Sequence, residues 1–174
     1  MLVAMVLDFT FAMSQSIEDL TTILSGTPEL TVTEPESGFP VIEVQTPVSA
    51  ATIALHGAQV LTWAPTDHPP VLYVSPKAKM NEGKALRGGI PICWPWFGNH
   101  PDDPEMPAHG FARTRFWELV SGEMVGKMAT LVFKLVSDEE TKALFPFDFE
   151  LTVTIRIADK LRVKLNMKNT GEEI

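Results

Sequence analysis

Residues 147–171 read FDFELTVTIRIADKLRVKLNMKNTG. Every second residue from Phe149 to Ile157 is apolar: Phe149, Leu151, Val153, Ile155 and Ile157. Glu150, Thr152, Thr154 and Arg156 fall between them. After Ala158-Asp159-Lys160 the alternation resumes through Leu161, Val163, Leu165 and Met167. Successive side chains of a strand point to opposite faces, so this period of two marks strands with one face buried. The stretch therefore predicts a β-hairpin with its turn near 158–160.

The same pattern spreads outward. ELTVTE (29–34) and VIEVQT (41–46) alternate, and SAATIALHGAQVLTWAP (49–65) reads as two strands joined at His56-Gly57. VLYVS (71–75) is short and apolar, and residues 115–138 read as two strands around a turn at Met124–Lys127. Helical signal is confined to the front, where Ser16 is placed to cap a helix with Asp19 as its capping-box partner. Many short strands without interleaved helices predict an all-β sandwich. On this reading DEE at 138–140 is a solvated turn, and Phe145, Phe147 and Phe149 belong to the sandwich core.

The chain has 174 residues, 45% of them hydrophobic and 21% charged, which suffices for a packed core. Its formal net charge of −8 opposes binding to nucleic acid and to anionic membranes. The single cysteine, Cys93, excludes an intrachain disulfide, in keeping with a reducing, cytoplasmic setting. Its apolar neighbours suggest a buried, inert thiol. The apolar run at residues 1–12 is broken by Asp8, lacks a basic leader and is too short to span a bilayer. It is expected to be a loose tail or an upstream translation artefact. KLNMKNTGEEI (164–174) finishes a strand and enters a turn without a closing element, so the sequence is expected to be part of a longer protein.

One long segment cannot be explained by strands: Arg87–Arg113, RGGIPICWPWFGNHPDDPEMPAHGFAR. Pro91, Pro95, Pro101, Pro104 and Pro107 exclude a helix. Loops of this length inside compact domains are usually functional. Gly88-Gly89 permits a tight bend and close approach of a ligand. Trp94, Trp96 and Phe97 supply rigid apolar walls of the kind small-molecule pockets use. HPDDPEMP (100–107) reads as a surface flap. An extended AHGFAR would put His109, Phe111 and Arg113 on one face. Two arginines converging on one spot suit an anion, and phosphate fits their fork geometry. The alternative is that Arg87 is a surface or ion-paired residue and His109 an ordinary loop residue.

RGGIPICWPWFG followed by PAHGFARTRFWEL resembles the glucose-6-phosphate 1-epimerase family, the hexose-6-phosphate mutarotases related to aldose 1-epimerase. The weaker framework, SAATIALHGAQVLTWAP, VLYVSPKA and the 147–171 hairpin, fits as well. The resemblance runs from Leu30 to the end and implies the galactose-mutarotase-like β-sandwich (supersandwich), here its N-terminal portion. Residues 1–28 are then a tail with a short helix, and 29–174 an incomplete sandwich domain. The resemblance implies that Arg87 and Arg113 bind the phosphate of a hexose 6-phosphate. It implies that His109 hydrogen-bonds the sugar near its ring oxygen and anomeric carbon. Ala108 stands where some relatives have Gln. The implied activity interconverts α and β anomers at C1 by acid–base ring opening, without metal or cofactor. The family's general acid His and general base Glu would follow the NTGEEI stretch, so this chain alone is expected to be inactive. A monomer is favoured.

Rival readings remain open. A non-catalytic carbohydrate-phosphate module would use the same fold. A metal site would need closely spaced ligands, and no His-x-His pair exists. His56 is expected to be structural, and His68 and His100 to be exposed.

Overall fold

The computed structural model describes residues 15–34, 39–75, 78, 81 and 83–172. The expectation for residues 1–12 lies outside them. Eight strands form two antiparallel sheets of four, in sequence order β1-β2-β3-β4 and β5-β6-β7-β8. The first sheet comprises β1 (Leu30–Thr33), β2 (Val41–Gln45), β3 (Ser49–Ala54) and β4 (Gln59–Pro65). The second comprises β5 (Glu118–Val125), β6 (Met128–Val136), β7 (Phe149–Ile157) and β8 (Leu161–Asn169).

The alternation read from sequence is the alternation of burial. Phe149, Leu151, Val153, Ile155 and Ile157 are all buried along β7, while Arg156 on the other face is exposed. They pack in one core with Ile42, Val44, Ala51, Ile53 and Val60 of the first sheet. Leu119, Leu131 and Phe133 of the second sheet join them, so the two sheets form a sandwich. β8 pairs with β7 in full register, Phe149 opposite Asn169 and Ile157 opposite Leu161. β8 is an edge strand, and Leu165 and Met167, across from buried Val153 and Leu151, remain exposed.

Helix α1 (Ile17–Ile23) has the expected capping box. The Asp19 amide donates to the Ser16 hydroxyl at 3.1 Å, and the Ser16 amide donates to the Asp19 carboxylate at 2.8 Å. These bonds hold the Asp19 carboxyl below its ordinary range. The helix docks on the sandwich: Leu20 and Leu24 are buried, and Gln15 exchanges two hydrogen bonds with the Leu119 backbone. Gly122 of β5 leaves the space that Leu24 and Leu30 fill.

Several local expectations are corrected. Phe147, expected in the sandwich core, is 38% exposed, and His100, expected to be exposed, is half-buried. VLYVS is not a strand, because Val71 and Tyr73 are exposed and only Val74 forms a bridge, to Gly88. DEE is not a turn but the start of a second helix, α2 (Glu139–Leu144). Asp138 caps it in a capping box with Thr141, the Asx-x-x-Thr pattern that stabilises a helix start. The 109–113 segment is not extended: His109 and Gly110 have φ of 66° and 69°, and a 3₁₀ turn covers Ala112–Thr114. Phe111 is accordingly buried, away from any shared face with His109 and Arg113. Cys93 is half-buried, not buried.

Candidate functional site

The turn between β3 and β4 (Leu55–Ala58) and the first residues of β4 organise both halves of the long loop. Gly57 has φ 76°, and its amide donates to the Arg115 carbonyl at 2.7 Å. The Trp117 amide donates to the Leu55 carbonyl at 3.0 Å. A Cβ on Gly57 would come within 2.8 Å of the Arg113 carbonyl oxygen, so the Arg113 backbone lies directly on this turn.

Two residues further on, Gln59 grips the other half. It is fully buried, and its side-chain amide donates to the Gly88 carbonyl at 2.5 Å. Gly89 donates to the Tyr73 carbonyl and Ile90 to the Val60 carbonyl, each at 2.9 Å. Gly88 and Gly89 take φ of 126° and 63°, and a Cβ on either would meet backbone at 2.5 Å or closer. The RGG bend thus needs glycine both for conformation and for space. The β3–β4 turn therefore carries the backbone of the Arg113 segment, and the start of β4 directly after it carries that of the Arg87 segment.

Arg87 is exposed and Arg113 half-buried. Among the described residues neither forms an ion pair with a carboxylate. Arg113 Nη2 donates to the Ala108 carbonyl at 2.6 Å, and its buried Nε has no acceptor among the described residues. Part of this guanidinium therefore shapes the loop just before His109.

His109 is locked to Gly98. Its amide donates to the Gly98 carbonyl at 2.6 Å, and the Gly98 amide donates to its Nδ1 at 3.1 Å. A backbone N–H only donates, so Nδ1 is the acceptor and the neutral ring carries its proton on Nε2. The His109 side chain thereby offers a hydrogen-bond donor. The Phe97 ring packs nearly perpendicular to the imidazole, with ring centroids 4.8 Å apart. Trp94, by contrast, is part of the sandwich core, and Trp96 ties its indole N–H to the Pro107 carbonyl.

The other histidines separate clearly. His68 is exposed. His100 is half-buried, and its Nδ1 accepts from the amides of Asp102 and Asp103, shaping the flap. His56 is 2% exposed, edge-on to Phe39 and Phe116, and its Nε2 has no partner among the described residues. Burial pushes its pKa below the ordinary 6.5, partly offset by a hydrogen bond to the Thr114 backbone. Among the described residues no group of three or more His, Cys, Asp or Glu is placed to hold a metal.

Sequence reasoning missed two supporting residues, Gln59 and Arg115, and read a third, Phe97, only as an apolar pocket wall. Gln59 was visible as a lone polar side chain opening an apolar strand. Buried Arg115 is paired with Glu140 of α2, and that pair could be found only after the helix itself. The role of Phe97 beside His109 had no signal in spacing, because the loop between them is irregular.

These local features coincide with a family match. The aldose 1-epimerase family model matches residues 40–173, which contain both halves of the loop. The chain belongs to the aldose 1-epimerase family. It is 40% identical over 124 residues to a protein of Escherichia coli (strain K12) named "Putative glucose-6-phosphate 1-epimerase". That match covers 71% of this chain and 42% of the relative, so the chain spans less than half of that relative's length. A crystal structure of a "putative mutarotase" from Salmonella typhimurium superposes with a TM-score of 0.78 at 35% identity. It covers 82% of this chain and 48% of that one. A galactose mutarotase-like protein from Lactobacillus casei ATCC 334 shares the fold, with a TM-score of 0.61 at 23% identity over 76% of this chain and 45% of that one. The fold is thus the galactose-mutarotase-like one that the sequence motifs imply.

Proposed function

We propose that the chain serves the interconversion of α and β anomers at C1 of a hexose 6-phosphate. Arg87 and Arg113 take the phosphate, and His109 donates from Nε2 to an oxygen of the hemiacetal. The observation that carries this reading is the short stretch Leu55–Val60, the β3–β4 turn with the first two residues of β4, onto which both arginine-bearing segments are bound. Two guanidiniums without carboxylate partners among the described residues favour an anion as the missing counter-charge. The names of the relatives at 40% and 38% identity agree with a sugar phosphate.

The chemistry moves two protons. The C1 hydroxyl loses one to a base, the ring oxygen gains one, and the C1–O5 bond breaks. Rotation about C1–C2 and closure give the other anomer. An Nε2–H donor suits the ring-oxygen side of that exchange. None of Arg87, His109 and Arg113 is a carboxylate, so the base is a further group. A sugar-phosphate site with donors and no base would instead bind without accelerating exchange.

Glucose 6-phosphate and glucose are to be titrated by calorimetry against wild type, Arg87→Ala and Arg113→Ala. Arg87 is exposed, so its removal leaves the fold intact. Loss of one charged hydrogen-bonding partner is expected to cost about 1.5–3 kcal/mol of binding to the phosphate ester. Equal affinity of wild type for the two sugars sinks the phosphate clamp. Anomer exchange followed by NMR, with and without protein, separates an epimerase from a binding module.

A further inference from the structure

We propose that Phe97 is the platform on which the pyranose ring of the substrate stacks, a role that rests on the sugar-phosphate reading above. Phe97 is 81% exposed, the most exposed of the large apolar side chains in the described part of the chain. Scattered exposed apolar residues are common and need no explanation. Phe97 differs because its surroundings fix it. Its imidazole neighbour His109 holds the adjacent Gly98 through both backbone groups of that residue. Gly98 sits at φ 83°, a conformation that suits glycine and turns the chain immediately after Phe97. On the other side, Trp96 is tied to Pro107. The phenyl ring thus stands on a braced loop, packed nearly perpendicular to the imidazole, with most of its surface in water.

The chemistry of the match is specific. A hexopyranose chair carries axial C–H groups on each face and hydroxyls around its rim. An aromatic face receives the C–H side through dispersion and weak C–H contacts. A hydrogen-bond donor beside that face then meets a rim oxygen. The pairing of Phe97 with the Nε2–H of His109 supplies both elements at 4.8 Å centroid separation. An open-chain polyol has no such flat apolar face, so the platform recognises the cyclic form.

The test measures affinities of the full chain, wild type and Phe97→Trp, Phe97→Leu and Phe97→Ala, for glucose 6-phosphate, sorbitol 6-phosphate and inorganic phosphate. Because the side chain is exposed, no variant empties the core. Phe97→Leu and Phe97→Ala are expected to weaken glucose 6-phosphate about three- to tenfold, the scale of a lost aromatic contact. Phe97→Trp is expected to keep the affinity, and sorbitol 6-phosphate and phosphate to be unchanged throughout. Sugar ring protons should shift upfield on binding to wild type and not to Phe97→Leu. Unchanged glucose 6-phosphate affinity in Phe97→Ala, or an equal loss for sorbitol 6-phosphate, overturns the platform. If Arg87→Ala and Arg113→Ala bind as wild type while Phe97→Ala does not, the phosphate clamp falls and the platform stands. If wild type binds no hexose phosphate, both fall.

Discussion

The β5–β8 sheet and the loop from Arg87 to Trp117 are held together in opposite ways. In the sheet, β7 matches β6 over eight residue pairs and β8 over nine, and no single pair is decisive. In the loop, order depends on a few close approaches: Gly57 on Arg113, Gly88 and Gly89 on Tyr73 and Val60, and Gly110 on Trp94. Distributed contacts tolerate substitution, whereas concentrated ones leave no slack. The loop can therefore hold a precise arrangement of polar groups without regular structure, at the cost of sensitivity at each contact.

Glycines give the sharpest break. Gly110 and Gly126 both have a positive φ, of 69° and 61°. A Cβ on Gly110 would lie 2.0 Å from the Trp94 carbonyl oxygen, while one on Gly126, in the β5–β6 turn, meets nothing within 4 Å. Gly126→Ala should cost only the left-handed penalty, about 1–2 kcal/mol. Gly110→Ala must also move backbone and should cost at least about 3 kcal/mol. Urea unfolding of both variants checks this. Equal losses would show that the loop yields as easily as the hairpin turn.

The contrast also explains what could be read from sequence. Alternation revealed β7 and β8 to within two residues, because burial repeats with the period of the strand. The resemblance of the RGG and HGFAR motifs pointed to the loop and to Arg87, His109 and Arg113, but not to their geometry. His109 turned out left-handed and Phe111 buried, because the loop follows contacts with a distant turn and not a local period. VLYVS failed for the same reason: isolated backbone bonds, such as Val71 to Trp63 and Gly89 to Tyr73, tie it to its neighbours without building a ladder. Gln59, placed by hydrogen bonds to Leu86 and Gly88, 27 and 29 positions away, shows how long-range pairing escapes a local pattern.

Ion pairs sharpen the comparison at a smaller scale. Arg115 bonds Glu140 with side-chain exposures of 7% and 33%, joining the loop to α2. Lys134 and Glu118, on neighbouring strands of the sheet, are 3.2 Å apart with exposures of 34% and 44%. Glu140→Gln weakens the partner of a buried guanidinium and should cost about 1–2 kcal/mol, discounted for the part-exposed carboxylate. Glu118→Gln should stay within about 0.5 kcal/mol. Urea midpoints in low and high salt test both. Matching effects would mean that the loop-to-helix pair is as solvated as the surface one.

The smallest effect separates the two regions by pH. Near α2 at the start of β7, Asp148 has its pKa lowered from 3.8, chiefly by Lys142 and Ser137. Its contribution is present above the unfolded value and is lost only as pH falls through the lower folded value. His56, on the turn that carries the loop, has its pKa lowered from 6.5 by burial. The unfolded chain takes up its proton near 6.5, whereas folded His56 resists until lower pH. Between those values the unfolded state binds more protons, so stability falls as pH drops below about 6.5 and is flat above it for this group. The slope has a ceiling of about 1.4 kcal/mol per pH unit. His56→Gln removes the titrating group and should flatten the stability profile between pH 7.5 and 5.5, whatever its constant cost. Urea midpoints at those two pH values provide the measurement. A variant that keeps the wild-type slope would place the acid sensitivity elsewhere and show that the β3–β4 turn accepts the imidazolium charge.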